Sequence, residues 1–238
     1  MRRLRRLRGR GWALIPAGSI VAVIFAIRYL AATATWLSYL ALVAVPVLAA
    51  LALGWVARGA RPWLALLAPC LFAVTWASPH SLAGESAGAL LTALSCVTLG
   101  VLLAAVTPST WLKFGIVAMA CADVWLVGSG QLQAPNSVLA AAHPAGGLPQ
   151  LQSEQFGSVS MGYGDLFVAA LLGGVYVARV TVQRLAAVIT LAVAALFDLL
   201  FLVVDSLPAT VPVALALAVV SVCCDRSKPV DATPPRAT

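Results

Sequence analysis

Charge is what this sequence has least of. Of its 238 residues only 10% are Asp, Glu, Lys or Arg, whereas 62% are apolar and the mean hydropathy is +0.99. A soluble domain carries about 25% charged and about 45–50% apolar residues. A surface facing water cannot be assembled from so few charges, so most of the chain must be solvated by lipid. Histidine is nearly absent: His80 and His143 have no partners at metal-ligand spacing, and neither do the five cysteines. No metal and no cofactor are assigned. Cys70, Cys96 and Cys121 lie in apolar runs, where a thiol acts as a small hydrophobe, while Cys223 and Cys224 fall at a run boundary; no structural disulfide is implied. The net charge of +7 is concentrated at one end, with Arg2, Arg3, Arg5, Arg6, Arg8 and Arg10 all in the first ten positions. Aromatic residues do not interleave them as base-stacking platforms would, which argues against nucleic acid as a partner. They read instead as a cytoplasmic anchor that fixes topology and touches anionic headgroups.

Long apolar runs are what the sequence has in abundance. Eight windows read as membrane spans: 12–30, 34–57, 62–79, 86–106, 111–130, 161–178, 183–204 and 207–224. The expected fold is all-α, a polytopic transmembrane helical bundle of about eight spans. It divides into a basic N-terminus (1–11), N-terminal transmembrane helices (12–106), a second helical group (111–224) that contains a long loop (131–160), and a disordered tail (225–238). Trp12, Trp36, Trp63 and Trp111 sit near window ends, as an interfacial aromatic belt requires. With the N-terminus inside and eight spans alternating, every Lys and Arg except Arg28 faces the cytoplasm, the bias that sets orientation. Both termini are then cytoplasmic, and the expected location is the plasma membrane of a prokaryote. The 131–160 loop faces outward in this arrangement and contains one acid, Glu154, and no Lys or Arg.

Ionisable groups within spans are costly, and each is a candidate functional group. Asp123 lies in Cys121-Ala122-Asp123-Val124-Trp125-Leu126-Val127-Gly128, with no cation at similar depth in the same run. It calls for a water-filled cavity or a second carboxyl that shares its proton. Asp165 ends Gly162-Tyr163-Gly164-Asp165 at the head of the sixth window. Two glycines there allow non-helical backbone and the close approach of another chain. Asp123 lies late in the fifth run and Asp165 early in the sixth, so both are near the same membrane face and can meet in the outer half of the bilayer. Asp198, placed about two turns before the end of its run, and Asp205 at a boundary read as structural or solvated, and Glu154 as loop solvation.

Ala122 to Gly128 is similar to the Asp-bearing helix of presenilins and signal peptide peptidases, the intramembrane aspartyl proteases of GxGD type. Met161-Gly162-Tyr163-Gly164-Asp165-Leu166 resembles their GxGD helix, and Leu207-Pro208-Ala209-Thr210, opening the final run, stands where that family has Pro-Ala-Leu. The resemblance spans about 111–224, with Ala122 in place of the family's Tyr, Thr210 in place of its Leu, and one span fewer than its nine. If the missing span is N-terminal, the orientation is that of signal peptide peptidases. The resemblance implies an intramembrane aspartic endopeptidase that cleaves membrane-protein or signal-peptide helices. Asp123 and Asp165 would form the catalytic dyad, and Gly162, Tyr163, Gly164, Pro208 and Ala209 would hold unwound substrate by strand-like pairing. Pro208 read without the resemblance simply starts a helix.

Two other readings compete. The prepilin peptidases are also GxGD proteases, but they carry Lys soon after the second Asp and a basic loop after the first; here Leu166-Phe167-Val168 follows and the loop has no Lys or Arg. A small transporter or channel would also use intramembrane carboxylates such as Asp123 and Asp165, as a proton or cation site. Nothing in the sequence indicates an oligomeric state.

Overall fold

The computed structural model describes residues 9–29, 32–131, 137–139, 141–142, 144, 147–156, 159–202 and 207–225. The six N-terminal arginines apart from Arg10, His143, Asp205 and nearly all of the 225–238 tail lie outside these residues, as do the expectations attached to them.

The described chain is helical apart from one short hairpin. A 3-10 turn (Gly11–Leu14) leads into α1 (Ile15–Tyr29), followed by α2 (Ala32–Leu51), α3 (Leu67–Ala77), α4 (Leu82–Val106) and α5 (Ser109–Gly128). The antiparallel strands β1 (Ser153–Phe156) and β2 (Val159–Gly162) pair from Ser153 with Gly162 to Phe156 with Val159. Then come α6 (Tyr163–Val175), α7 (Val180–Asp198) and α8 (Val211–Asp225). Four stretches are long and apolar enough to cross a membrane: Ala32–Val56, Leu82–Val106, Ser109–Gly128 and Val180–Asp198. The apolar helices Pro62–Ala77, Tyr163–Val175 and Val211–Cys224 are shorter.

Helix ends follow local chemistry. α4 starts at Leu82, ahead of its expected window, because the Ser81 hydroxyl accepts the Gly84 N–H at 3.1 Å and Glu85 lies in the first turn, where the helix dipole favours an acid. α2 runs on into a π-helical turn over Ala52–Val56, closed by the Ala57 N–H donating to the Ala52 carbonyl at 2.9 Å. α8 starts at Val211, not at 207. Leu207 and Pro208 precede it as irregular chain and Ala209 and Thr210 form a turn, so Pro208 does not occupy the first helical position. α7 ends at Asp198 and continues as a 3-10 turn (Leu199–Leu202); Asp198 is therefore the terminal residue of the helix and is exposed.

Two apolar cores share α4. One joins α4 to α8 through Leu103, Leu112, Ile116, Met119, Val168, Leu171, Val213, Leu217 and Val220. The other joins α2, α3 and α4 through Val45, Ala49, Ala68 and Leu91, and the loop residue Leu151 is inserted there with no exposed surface. α4 and α6 touch backbone to backbone: a Cβ on Gly100 would lie 2.8 Å from the Ala170 carbonyl oxygen, and one on Gly174 would lie 2.9 Å from the Gly100 carbonyl oxygen. Small residues permit this approach, as they do between helices packed in lipid. The outward faces remain apolar. Ala186 is the buried residue of α7, while Leu191 (73% exposed), Val188 and Leu196 project from it. A surface of this kind suits hydrocarbon solvent.

Six of the described cations gather at one end, and Arg28, near the far end of α1, does not join them. Arg10 stacks over the Trp111 ring at 5.9 Å, Lys113 lies 5.5 Å from the Tyr176 ring centroid, and the Arg58 guanidinium donates to the Val177 carbonyl. Arg61 and Arg179 are exposed in the same connections, and Arg184 is exposed in the first turns of α7. The loop after α5 docks at the other end, where the Ala142 carbonyl accepts Ser38 Oγ at 3.1 Å, Gln152 Nε2 at 3.1 Å and Gln150 Nε2 at 3.2 Å.

Candidate functional site

α6 and α8 both begin inside the bundle. The Tyr163 hydroxyl is hydrogen-bonded to Ser95 Oγ at 2.9 Å, and the Cys96 thiol approaches the Tyr163 carbonyl at 3.8 Å; these partners lie about midway along α4. With 13 residues, α6 is about 20 Å long. The chain fills the remaining depth with the β1–β2 hairpin, which packs along α4. Gly162 closes β2 and is also the N-cap of α6, with φ −76° and ψ 151°.

Asp165 is in the first turn of α6, where its Oδ2 accepts the Gly162 N–H at 3.2 Å. This is the carboxylate half of a capping box; glycine has no side chain to return the bond. Asp123 lies on α5, five residues before Gly128 and so about 8 Å short of that helix end. Its Oδ2 accepts two bonds from one residue 87 positions away: Thr210 Oγ1 at 2.7 Å and Thr210 N–H at 3.2 Å. Thr210 is 4% exposed, and its own carbonyl accepts the first bond of α8, from the Ala214 N–H. A carboxyl near the C-terminal end of α5, an unfavourable place for an anion, thus rests on the N-terminal end of α8, a favourable one.

The two carboxyls are within electrostatic range of each other, and both side chains are half-buried. Pro208 and Ala209 are half-buried beside Thr210, on the approach to the same carboxyl. Asp123, Asp165 and the Pro208–Thr210 segment are therefore brought together, with Gly162 and Tyr163 adjacent. Asp198 and Glu85 take no part. Among the described residues, no three His, Cys, Asp or Glu side chains gather in a way that would hold a metal. A groove between α3 and α4, lined by Leu67, Leu71, Val74, Leu90, Leu94 and Cys70, is apolar and lies apart from the carboxyls.

Neither Gly162 nor Gly164 has positive φ; among the described residues the positive-φ glycines are Gly59, Gly130 and Gly147. Gly162 has the expected non-helical backbone, in an extended conformation that any residue can adopt, whereas Gly164 departs from the expectation and is helical. A Cβ at 162 would lie 3.4 Å from Asp165 Oδ2, an ordinary contact. The sixth helix also starts two residues later than expected, because Met161 and Gly162 belong to β2. Sequence reasoning did not find the Thr210–Asp123 pair. The only signal for it was a hydroxyl residue just ahead of an apolar run, which is the composition of an N-cap.

No protein-family model, no curated protein and no solved structure matches the chain.

Proposed function

We propose that this chain is a multi-pass intramembrane aspartyl endopeptidase that cleaves membrane-protein or signal-peptide helices with Asp123 and Asp165. The observation that carries the reading is the convergence of these two carboxyls, from different helices, with the Pro208–Thr210 segment at one place inside an apolar bundle. The reading takes all eight helices as spans, with both termini cytoplasmic and the carboxyls in the outer half of the bilayer. The clustering of Arg10, Arg58, Lys113 and Arg179 at the opposite end of the helices supports this orientation.

The proposed mechanism needs a water molecule between the carboxyls. One carboxylate takes a proton from the water, whose oxygen attacks the scissile carbonyl carbon. The other, protonated, carboxyl donates to the carbonyl oxygen, giving a gem-diol. Collapse of that intermediate breaks the C–N bond, and the amine leaves with a proton. A helical substrate hides its carbonyls in its own hydrogen bonds, so it must be opened first. The outer edge of β2 and the irregular Leu207–Ala209 backbone offer main-chain partners to an extended segment. Non-helical backbone at membrane depth is tolerated where protein or a wet cavity surrounds it, and a hydrolase needs that water.

The test is cleavage of a transmembrane peptide by purified protein, with and without an aspartyl-protease transition-state analogue. Cleavage should be blocked by the analogue and fall by about 10³-fold or more in Asp123→Ala and Asp165→Ala. Proton or cation flux without cleavage in the same proteoliposomes would overturn the protease reading in favour of transport.

A further inference from the structure

Thr210 makes a contact that no motif requires. Both of its donors, Oγ1–H at 2.7 Å and N–H at 3.2 Å, converge on one oxygen, Asp123 Oδ2. Two donors from one residue restrict the place of that oxygen more tightly than a single bond would. The arrangement is sheltered: Thr210 is buried, and its carbonyl is tied into the first turn of α8. The hydroxyl is independent of the main chain, since any residue but proline at 210 keeps the N–H. It also comes from a different part of the fold, the turn ahead of α8, than Ala122, the residue next to Asp123 that has no polar side chain to offer.

We infer that Thr210 is a positioning residue whose hydroxyl, docked on Asp123 Oδ2, orients that carboxyl for reaction and leaves Oδ1 as its working oxygen. The inference rests on the protease reading and deepens it: α8 supplies a side-chain clamp on the dyad as well as backbone for substrate.

The experiment compares Thr210→Val, which keeps the shape and the N–H but loses the hydroxyl, with Thr210→Ser, which restores the hydroxyl. Peptide cleavage is measured in full-length protein reconstituted in phosphatidylcholine–phosphatidylglycerol vesicles. Thr210→Val should lower kcat about tenfold with KM within about twofold, and Thr210→Ser should recover kcat to within about twofold of wild type. A parallel double-mutant cycle on thermal unfolding pairs Thr210→Val with Asp123→Ala, and the double variant should melt no lower than the worse single variant. Wild-type kcat in Thr210→Val, or additive losses in the cycle, overturns the positioning role while leaving the Asp123 and Asp165 result intact. Wild-type protein that cleaves nothing overturns the protease reading, and with it any part for Thr210 in chemistry, even if the cycle shows coupling.

Discussion

Gly100 is the position at which a single methyl group should be felt most. A Cβ there would meet the Ala170 carbonyl oxygen at 2.8 Å and its carbon at 2.9 Å, and these are backbone atoms that no rotamer change can move. α4 and α6 would have to separate by several tenths of an ångström, loosening the facing contacts of Gly174 with Gly100 and Ala104. Overpacking of this kind costs about 1–3 kcal/mol. Ala also gains about 1 kcal/mol of helix propensity over Gly, which would mask part of the cost in one variant. Gly18 in α1 provides the control: it is helical, and a methyl group added there would have no atom within 4 Å. The propensity gain is common to Gly100→Ala and Gly18→Ala, so their difference isolates the packing cost. For a chain of this size about 1 kcal/mol corresponds to about 2–4 °C in Tm. Gly100→Ala should therefore melt about 2–12 °C below Gly18→Ala in detergent micelles. Equal melting temperatures would refute the backbone-to-backbone packing of α4 on α6, and with it the account of how Asp165 is held.

Three further outcomes are expected. Tyr176→Phe removes a hydroxyl bonded to Ser221 Oγ at 3.1 Å, and should cost about 0.5–1.5 kcal/mol by thermal unfolding, with little further loss when Ser221→Ala is added. Leu151→Ala empties the socket formed with Val45, Ala49, Ala68 and Leu91; it should cost about 2–5 kcal/mol and speed limited proteolysis within 131–160, and unchanged digestion would show that the loop is held elsewhere. Thr98→Val removes the bond from Thr98 Oγ1 to the Leu48 carbonyl at 2.7 Å and should cost about 0.6 kcal/mol, the typical worth of a hydrogen bond between helices in lipid.

The positions of the helices were legible because apolar runs and their breakers are local. Pro62, Pro108 and Ser109 mark boundaries that the chain observes closely. The two carboxylates were legible because an acid inside an apolar run is conspicuous wherever it lies. What the sequence concealed depends on partners distant along the chain. The strand that takes Met161 and Gly162 out of the sixth window is set by pairing with Ser153 and Glu154, not by composition. Leu151 looks like an ordinary loop leucine until α2, α3 and α4 enclose it. Thr210 reads as a helix start, and only the packing of α5 against α8 turns its hydroxyl toward Asp123. The glycines of GxG suggested non-helical backbone, and the structure has it at Gly162 but not at Gly164, which falls within α6.

Helices that begin halfway through a bundle also affect the lipid around it. At 13 and 15 residues, α6 and α8 are about 20 and 22 Å long, against about 30 Å of hydrocarbon. If the chain spans the bilayer as proposed, the depth they leave is taken up by the β1–β2 hairpin and the Leu207–Thr210 segment instead of by helix. Acyl chains beside helices this short would then tilt or shorten, at fractions of a kcal/mol per ångström of mismatch. The thickness of the surrounding bilayer would thereby become a variable in how α6 and α8 are seated.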